Sequence, residues 1–366
     1  MLRKILLFVL LISLASSFAL AQEPASTPEP SSGGDAAPPA ETGPSIASGL
    51  NNPRHIYFAS DGTLYIAEAG TAGDIDAMGP FAEVKAGLTG QISAVSPDGE
   101  QTVAIPNLVS FDNGFGQIEG VTSVIATDNS LWATLGMGTQ EPIAEGALVE
   151  SVVEYDRATG EVKQVIDLRA FEQENNPDQA QEVVSNPADL ALAEDGTLYI
   201  ADASGNSVFK WTTDGGLELF AAWPVTDETP QSVPTSVAVG PEGNVYIGFL
   251  SGFPFPAGGA RIEQYGPDGT LKQTYGGLTL VTDIHFAADG TLYAVEMASG
   301  MGDQGFNPNS GRVVSVSADG VVAAVEEGLN FPYGLAEDAD GNLYVTVDSV
   351  FVAPDSGQVI AVGRGM

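Results

Sequence analysis

The chain of 366 residues contains no cysteine, so neither a disulfide framework nor a lipid-anchored cysteine is available to it. Positive charge is scarce too, with 12 Lys plus Arg against 48 Asp plus Glu, a formal net charge of −36. Such a surface repels phosphate backbones and speaks against nucleic acid as a partner; it serves solubility and cation binding equally well. Histidine is scarcer still, with only His55 and His285. Apolar runs of membrane length are missing as well. Ile5 to Leu14 is shorter than the roughly 20 residues a span needs.

That run follows Arg3 and Lys4 and leads to Ala19-Leu20-Ala21, the small-x-small pattern a signal peptidase accepts. Residues 1–21 therefore read as a secretory signal peptide cleaved after Ala21, leaving no membrane span. Residues 22–44, QEPASTPEPSSGGDAAPPAETGP, have almost nothing apolar to bury and read as a disordered Pro/Ser/Ala-rich linker. Export without disulfides points to a secreted or periplasmic, cell-envelope protein of a bacterium.

What remains, residues 45–366, repeats one phrase six times without gaps: HIYFASDGTLYIAE (55–68), TSVIATDNSLWATL (122–135), DLALAEDGTLYIAD (189–202), SVAVGPEGNVYIGF (236–249), DIHFAADGTLYAVE (283–296) and GLAEDADGNLYVTV (334–347). Each copy alternates apolar residues, passes a pair such as Asp61-Gly62 that tolerates positive φ, and alternates again, the pattern of a two-residue hairpin. An aromatic recurs three places after the turn glycine position: Tyr65, Trp132, Tyr199, Tyr246, Tyr293 and Tyr344. A large ring at one fixed position suits a sheet buried on both faces between its neighbours. A second hairpin, such as VFKWTTDGGLELFA, follows most copies, giving four strands per unit. The expected fold is all-β, a six-bladed β-propeller, with a solenoid as the alternative.

The last unit, GQVIAVGRGM, stops after its third strand, whereas SIASGLNNP (45–53) resembles the fourth strand of the fifth unit, VAAVEEGLNFP. Residues 45–50 are thus expected to pair with residues 357–363 and close the ring.

The layout resembles the six-bladed propellers of the NHL-repeat and gluconolactonase-like superfamily. Within it, GLNNPRHIYFASDGTLYIAEAG (49–70), AFEQENNPDQAQEVVSNPADLALAEDGTLYIADASGN (170–206) and FLSGFPFPAGGARI (249–262) resemble the ScyD/ScyE family. The resemblance implies the fold and export. The gluconolactonase-like group typically opens a blade with Glu-Gly-Pro and adds Asn and Asp ligands; Glu119-Gly120-Val121 matches this only in part, and the spacing to Asn186 differs.

First strands of propeller blades line the channel, and a two-residue turn would set His55 opposite Glu68, Asp189 opposite Asp202 and Asp283 opposite Glu296. Facing like charges ask for a reason. Asp189, Asp202, Asp283 and Glu296 are therefore candidate ligands for Ca²⁺, an ion that takes six to eight oxygens; the alternative is that they cap strand-end amides. Thr122, Ser236 and Gly334 occupy the equivalent positions. The ligand rim is expected to comprise His55, Glu68, Glu119, Phe253, Phe255, Phe306 and Asp348, with Phe351 in a neighbouring loop.

Other motifs dissolve. GMGDQG (300–305) is followed by Asn307-Pro308-Asn309 where a phosphate-binding helix would start. DADGN (338–342) lies in the hairpin-turn register and lacks later calcium ligands. His285 and Asp283 pair a base with an acid, yet no nucleophile motif accompanies them. The expectation is a monomeric, non-catalytic propeller that binds a small molecule, glycan or protein at an acidic rim. The alternatives are a metal-dependent hydrolase or lactonase and an accessory protein of secondary metabolism.

Overall fold

A computed structural model describes residues 43–226 and 229–363. The expected signal peptide, and the linker up to residue 42, lie outside the described residues.

The described chain forms six antiparallel blade sheets in a six-bladed propeller, with a separate two-stranded ribbon of Met301–Gly302 and Gly305–Phe306 in a loop of blade 5. Blades 1 to 5 open with the strands Pro53–Phe58, Val121–Ala126, Pro187–Leu192, Pro234–Val239 and Val281–Phe286, and blade 6 with Leu335–Glu337. Each of these first strands is followed by its hairpin partner from the repeated phrase. Blade 6 takes its fourth strand from the other end of the chain, Ser45–Leu50, which pairs with Gly357–Ala361. The expected closure is therefore observed, and Leu50 is fully buried at the seam with Ile56, Ile66 and Val359. Among the described residues no helix is long and apolar enough to cross a membrane.

The core lies between adjacent sheets. Tyr199, Ala201 and Val208 of blade 3 pack on Val237, Val245, Ile247 and Phe249 of blade 4. The recurring aromatics serve this purpose: Tyr65, Trp132, Tyr199 and Tyr246 are all buried.

The turns differ from expectation, and the difference reorganises the channel. In blade 1, Ala59 and Thr63 close a three-residue loop, with the Gly62 amide donating to the Ala59 carbonyl and Gly62 at φ +83°. This is a type I turn followed by a glycine bulge, repeated around Gly196, Gly290 and Gly341. The turn acids stabilise it locally: Asp61, Asp195 and Asp289 accept from the amides of Thr63, Thr197 and Thr291 at 3.0, 2.9 and 2.9 Å.

One extra loop residue moves the pairing by one place, and a bulge in the first strand moves the pairs beyond it by a second. Asp189 faces Ala201, Asp202 faces Pro187, Asp283 faces Val295, Glu296 faces Val281 and Glu68 faces Pro53. The expected acid-on-acid pairs do not form, because slipping a strand by one residue turns its side chains to the other face. Blade 2 keeps a two-residue turn at Asp128-Asn129, so Ser123, and not Thr122, occupies the channel position there. A register irregularity precedes the channel residue in each of the first five blades, between Pro53 and Ile56, Val121 and Ser123, Pro187 and Asp189, Pro234 and Ser236, and Val281 and Asp283. Such bulges re-aim a side chain, here toward the axis.

Candidate binding site at the channel mouth

His55, Asp189 and Asp283, from blades 1, 3 and 5, are buried together. Nδ1 of His55 lies 3.2 Å from the Thr122 carbonyl and 3.7 Å from Asp189 Oδ1. Nε2 lies 3.1 Å from the Thr282 carbonyl and 3.7 Å from Asp283 Oδ1. Both ring nitrogens thus lie within hydrogen-bond distance of carbonyl oxygens, which only accept, an arrangement that favours hydrogen on both, the imidazolium form. Burial by itself would lower its pKa, but Asp189 and Asp283, then the two carbonyls, outweigh burial and hold it above the ordinary value. Gly334 of blade 6 makes room, since a Cβ there would lie 2.5 Å from the His55 Cα.

The carboxylates have further partners. Asp189 accepts from Ser123 Oγ at 2.7 Å and from the Val237 amide at 3.0 Å. Asp283 accepts from the Leu335 amide at 2.7 Å, and burial, opposed by His55, raises its pKa. Among the described residues this trio is the one group whose donor atoms converge closely enough to hold a metal ion. As arranged, it is matched to a proton: a ring nitrogen that donates N–H has no lone pair for a metal, and three of the four carboxylate oxygens already accept hydrogen bonds.

The remaining candidate ligands are not brought to this centre. Asp202 accepts from the amides of Asn186 and Gly205 at 2.7 and 2.9 Å. Glu296 accepts from the Thr279 amide at 2.5 Å and pairs with Arg312. Glu68 accepts from the Asn51 amide at 2.7 Å, from Gln91 Nε2 at 2.9 Å and from Ser93. In three blades, then, the acid ending the second strand ties down the segment that enters the first, which is the capping role left open by the sequence. Asp348, at φ +53°, accepts from Asn330 Nδ2 at 2.6 Å. His285 is also set apart, with its pKa lowered to about 4 by burial and so neutral near pH 7.

Against the trio sit Tyr333 and Arg54, which sequence reasoning missed, and Glu119, which it had placed on the rim. Tyr333 meets the His55 ring edge-on at 5.3 Å, and the Arg54 guanidinium stacks over Tyr333 at 4.9 Å while donating to the carbonyls of Ser349 and Ile118. Glu119, held by Asn113 Nδ2 at 3.0 Å, completes this layer; burial raises its pKa and Arg54 draws it back. An arginine immediately before the inner-strand histidine was the available signal for Arg54. Tyr333 has no counterpart in the repeat and gave none.

Phe253, Phe255 and Phe306 do come together, and Phe351 and Phe331 extend them. Successive ring centroids along Phe253, Phe255, Phe306, Phe351 and Phe331 are 6.1, 5.1, 5.7 and 5.6 Å apart. Phe253 and Phe351 are exposed at 51% and 38%, whereas Phe331 is buried beside Tyr333 in the apolar cluster under the loops. A run of rings therefore leads from the exposed Phe253 to Phe331, which shares its apolar cluster with Tyr333. Phe255, Phe331 and Phe351 stand at φ +56°, +43° and +59°. For a non-glycine residue that conformation costs on the order of 1–3 kcal/mol, a strain that concentrates at ligand clamps.

The fold is shared with solved structures of NHL and gluconolactonase-like six-bladed propellers. A gluconolactonase from Xanthomonas campestris superposes with a TM-score of 0.54 at 13% identity, covering 87% of this chain and 88% of that one. A Thermus thermophilus protein assigned as an oxidoreductase (glucose dehydrogenase) gives 0.54 at 15% identity over 87% and 99% of the two chains. A further protein assigned as a gluconolactonase gives 0.52 at 15%, over 90% and 95%. At these identities the likeness concerns the fold alone. No family model matches the chain, and no curated protein matches it significantly.

Proposed function

We propose that this protein is an exported, ScyD/ScyE-like propeller that binds a partner at the channel mouth without transforming it. One observation carries this reading: the strained run of phenylalanines is exposed at Phe253 and Phe351 and ends at Phe331, in one cluster with Tyr333, whose ring meets a floor of polar groups already engaged with one another. Rings held out on loops supply contact area, whereas a catalytic centre needs a base or an ion free to meet substrate. Here the imidazole lone pairs are consumed, and the Asp189 and Asp283 carboxylates bind backbone amides that hold adjacent blades in place.

A panel of small molecules, glycans and peptides, read by thermal shift on the wild type and on Phe306→Ala, tests the reading; binding that depends on Phe306 supports it. Turnover of any lactone or ester that is abolished by Asp189→Asn would overturn it in favour of hydrolysis. So would a millimolar Ca²⁺ effect on thermal unfolding that disappears in the same variant, since a site at 100 times its Kd adds about 2.7 kcal/mol. Export to the periplasm or the medium belongs to the same proposal, and N-terminal sequencing should find the mature chain starting at Gln22.

A further inference from the structure

We infer that the partner at the mouth is a basic polypeptide segment whose arginine side chains lie on the phenylalanine rings. This rests on the binding reading above and adds the chemistry of the partner. The orientation of the rings is the first argument. Phe253 and Phe255 are inclined at 88°, Phe255 and Phe306 at 63°, and Phe306 and Phe351 at 33°. Their faces turn in several directions across separate loops. A rigid planar ligand meets one such face, whereas an extended chain can offer a separate side chain to each.

Charge is the second argument. The whole protein carries −36, and the loops that bear Phe306 and Phe351 also carry the exposed acids Asp303 and Asp355. A cationic chain is drawn to that surface and an anionic one repelled. The third argument is the use this protein makes of its own arginines. Arg54 stacks on Tyr333 at 4.9 Å, Arg157 on Tyr65 at 5.4 Å and Arg261 on Phe249 at 3.9 Å. The guanidinium plane matches a ring face, and its weak hydration makes desolvation cheaper than for an ammonium.

The test uses the mature protein and three fluorescein-labelled repeat peptides, Arg-Gly, Lys-Gly and neutral citrulline-Gly, with binding read by anisotropy. The Arg-Gly peptide should bind more tightly than Lys-Gly, and citrulline-Gly should not bind. The double substitution Phe253→Ala, Phe351→Ala removes two partly exposed rings and should weaken Arg-Gly binding by about tenfold at a temperature well below the unfolding midpoint of the variant, which loses the ring contacts to Phe255, Phe306 and Phe331. Arg-Gly binding that is no tighter than Lys-Gly, or that survives the double substitution, would indicate bare charge attraction and overturn the inference. If Arg-Gly fails to bind while a neutral glycan or small molecule binds in a Phe306-dependent way, the binding reading stands and this inference falls. If no probe binds, both fall.

Discussion

Replacing His55 by leucine tests the reading of the channel centre most directly. The substitution removes the donors that face the Thr122 and Thr282 carbonyls, and it removes the positive charge between Asp189 and Asp283, all within a buried site. Breaking a buried, charge-compensated group by deleting one member costs about 3–5 kcal/mol, because the remaining charges stay buried without their counterpart. The folding equilibrium constant should therefore fall by a factor between about one hundred and several thousand. Urea unfolding followed by the fluorescence of Trp132, Trp211 and Trp223 measures it. Adding Asp189→Asn and Asp283→Asn to the leucine variant should recover part of the loss, since no uncompensated charge then remains. A single variant that loses less than about 1 kcal/mol, with no recovery in the triple variant, would refute the imidazolium assignment.

Three other outcomes are expected. Leu50→Ala empties a fully buried position at the closure seam and should cost about 2–5 kcal/mol by urea denaturation, more than a core substitution with the same chemistry at a collapsible site. Gly334→Ala would force a methyl against the His55 and Arg54 backbone and should cost about 1–3 kcal/mol, visible as a lowered unfolding midpoint. Burial, with Asp202 and Asp178 adding to it, raises the Glu172 carboxyl to about 8 from its ordinary 4.5. The folded state then keeps a proton that the unfolded state has released, so the contribution of this group to stability is fully present below pH 4.5 and is lost as pH rises through about 8. Glu172→Gln should flatten that slope in unfolding midpoints measured between those limits.

Much of the architecture was legible because it is written locally and repeated. Apolar alternation around a turn, an aromatic at a fixed place and a missing last strand are features of single segments. The strand Ser45–Leu50 pairs with Gly357–Ala361 as its likeness to the fifth unit implies. The site was less legible, and the reason is one residue. DGT and DNS read alike as turns, but a glycine bulge in one and a two-residue turn in the other set different registers. Phe253, Phe255 and Phe306 could be singled out as bare aromatics among Gly and Pro. Their edge-to-face packing could not, because it joins loops from two blades.

By itself, then, the amino-acid sequence determined how many blades there are, what fills the space between them and how the circle is completed, since each of these follows from periodicity and burial within a segment. Only the tertiary structure decided which acids share a space. Asp189 and Asp283 are 94 positions apart and meet across His55, while Asp202, 13 positions after Asp189, is turned to the opposite side of its strand pair. Side-chain proximity in a propeller is set by the angle between blades and the parity of each turn, and neither quantity is carried by any one stretch of chain.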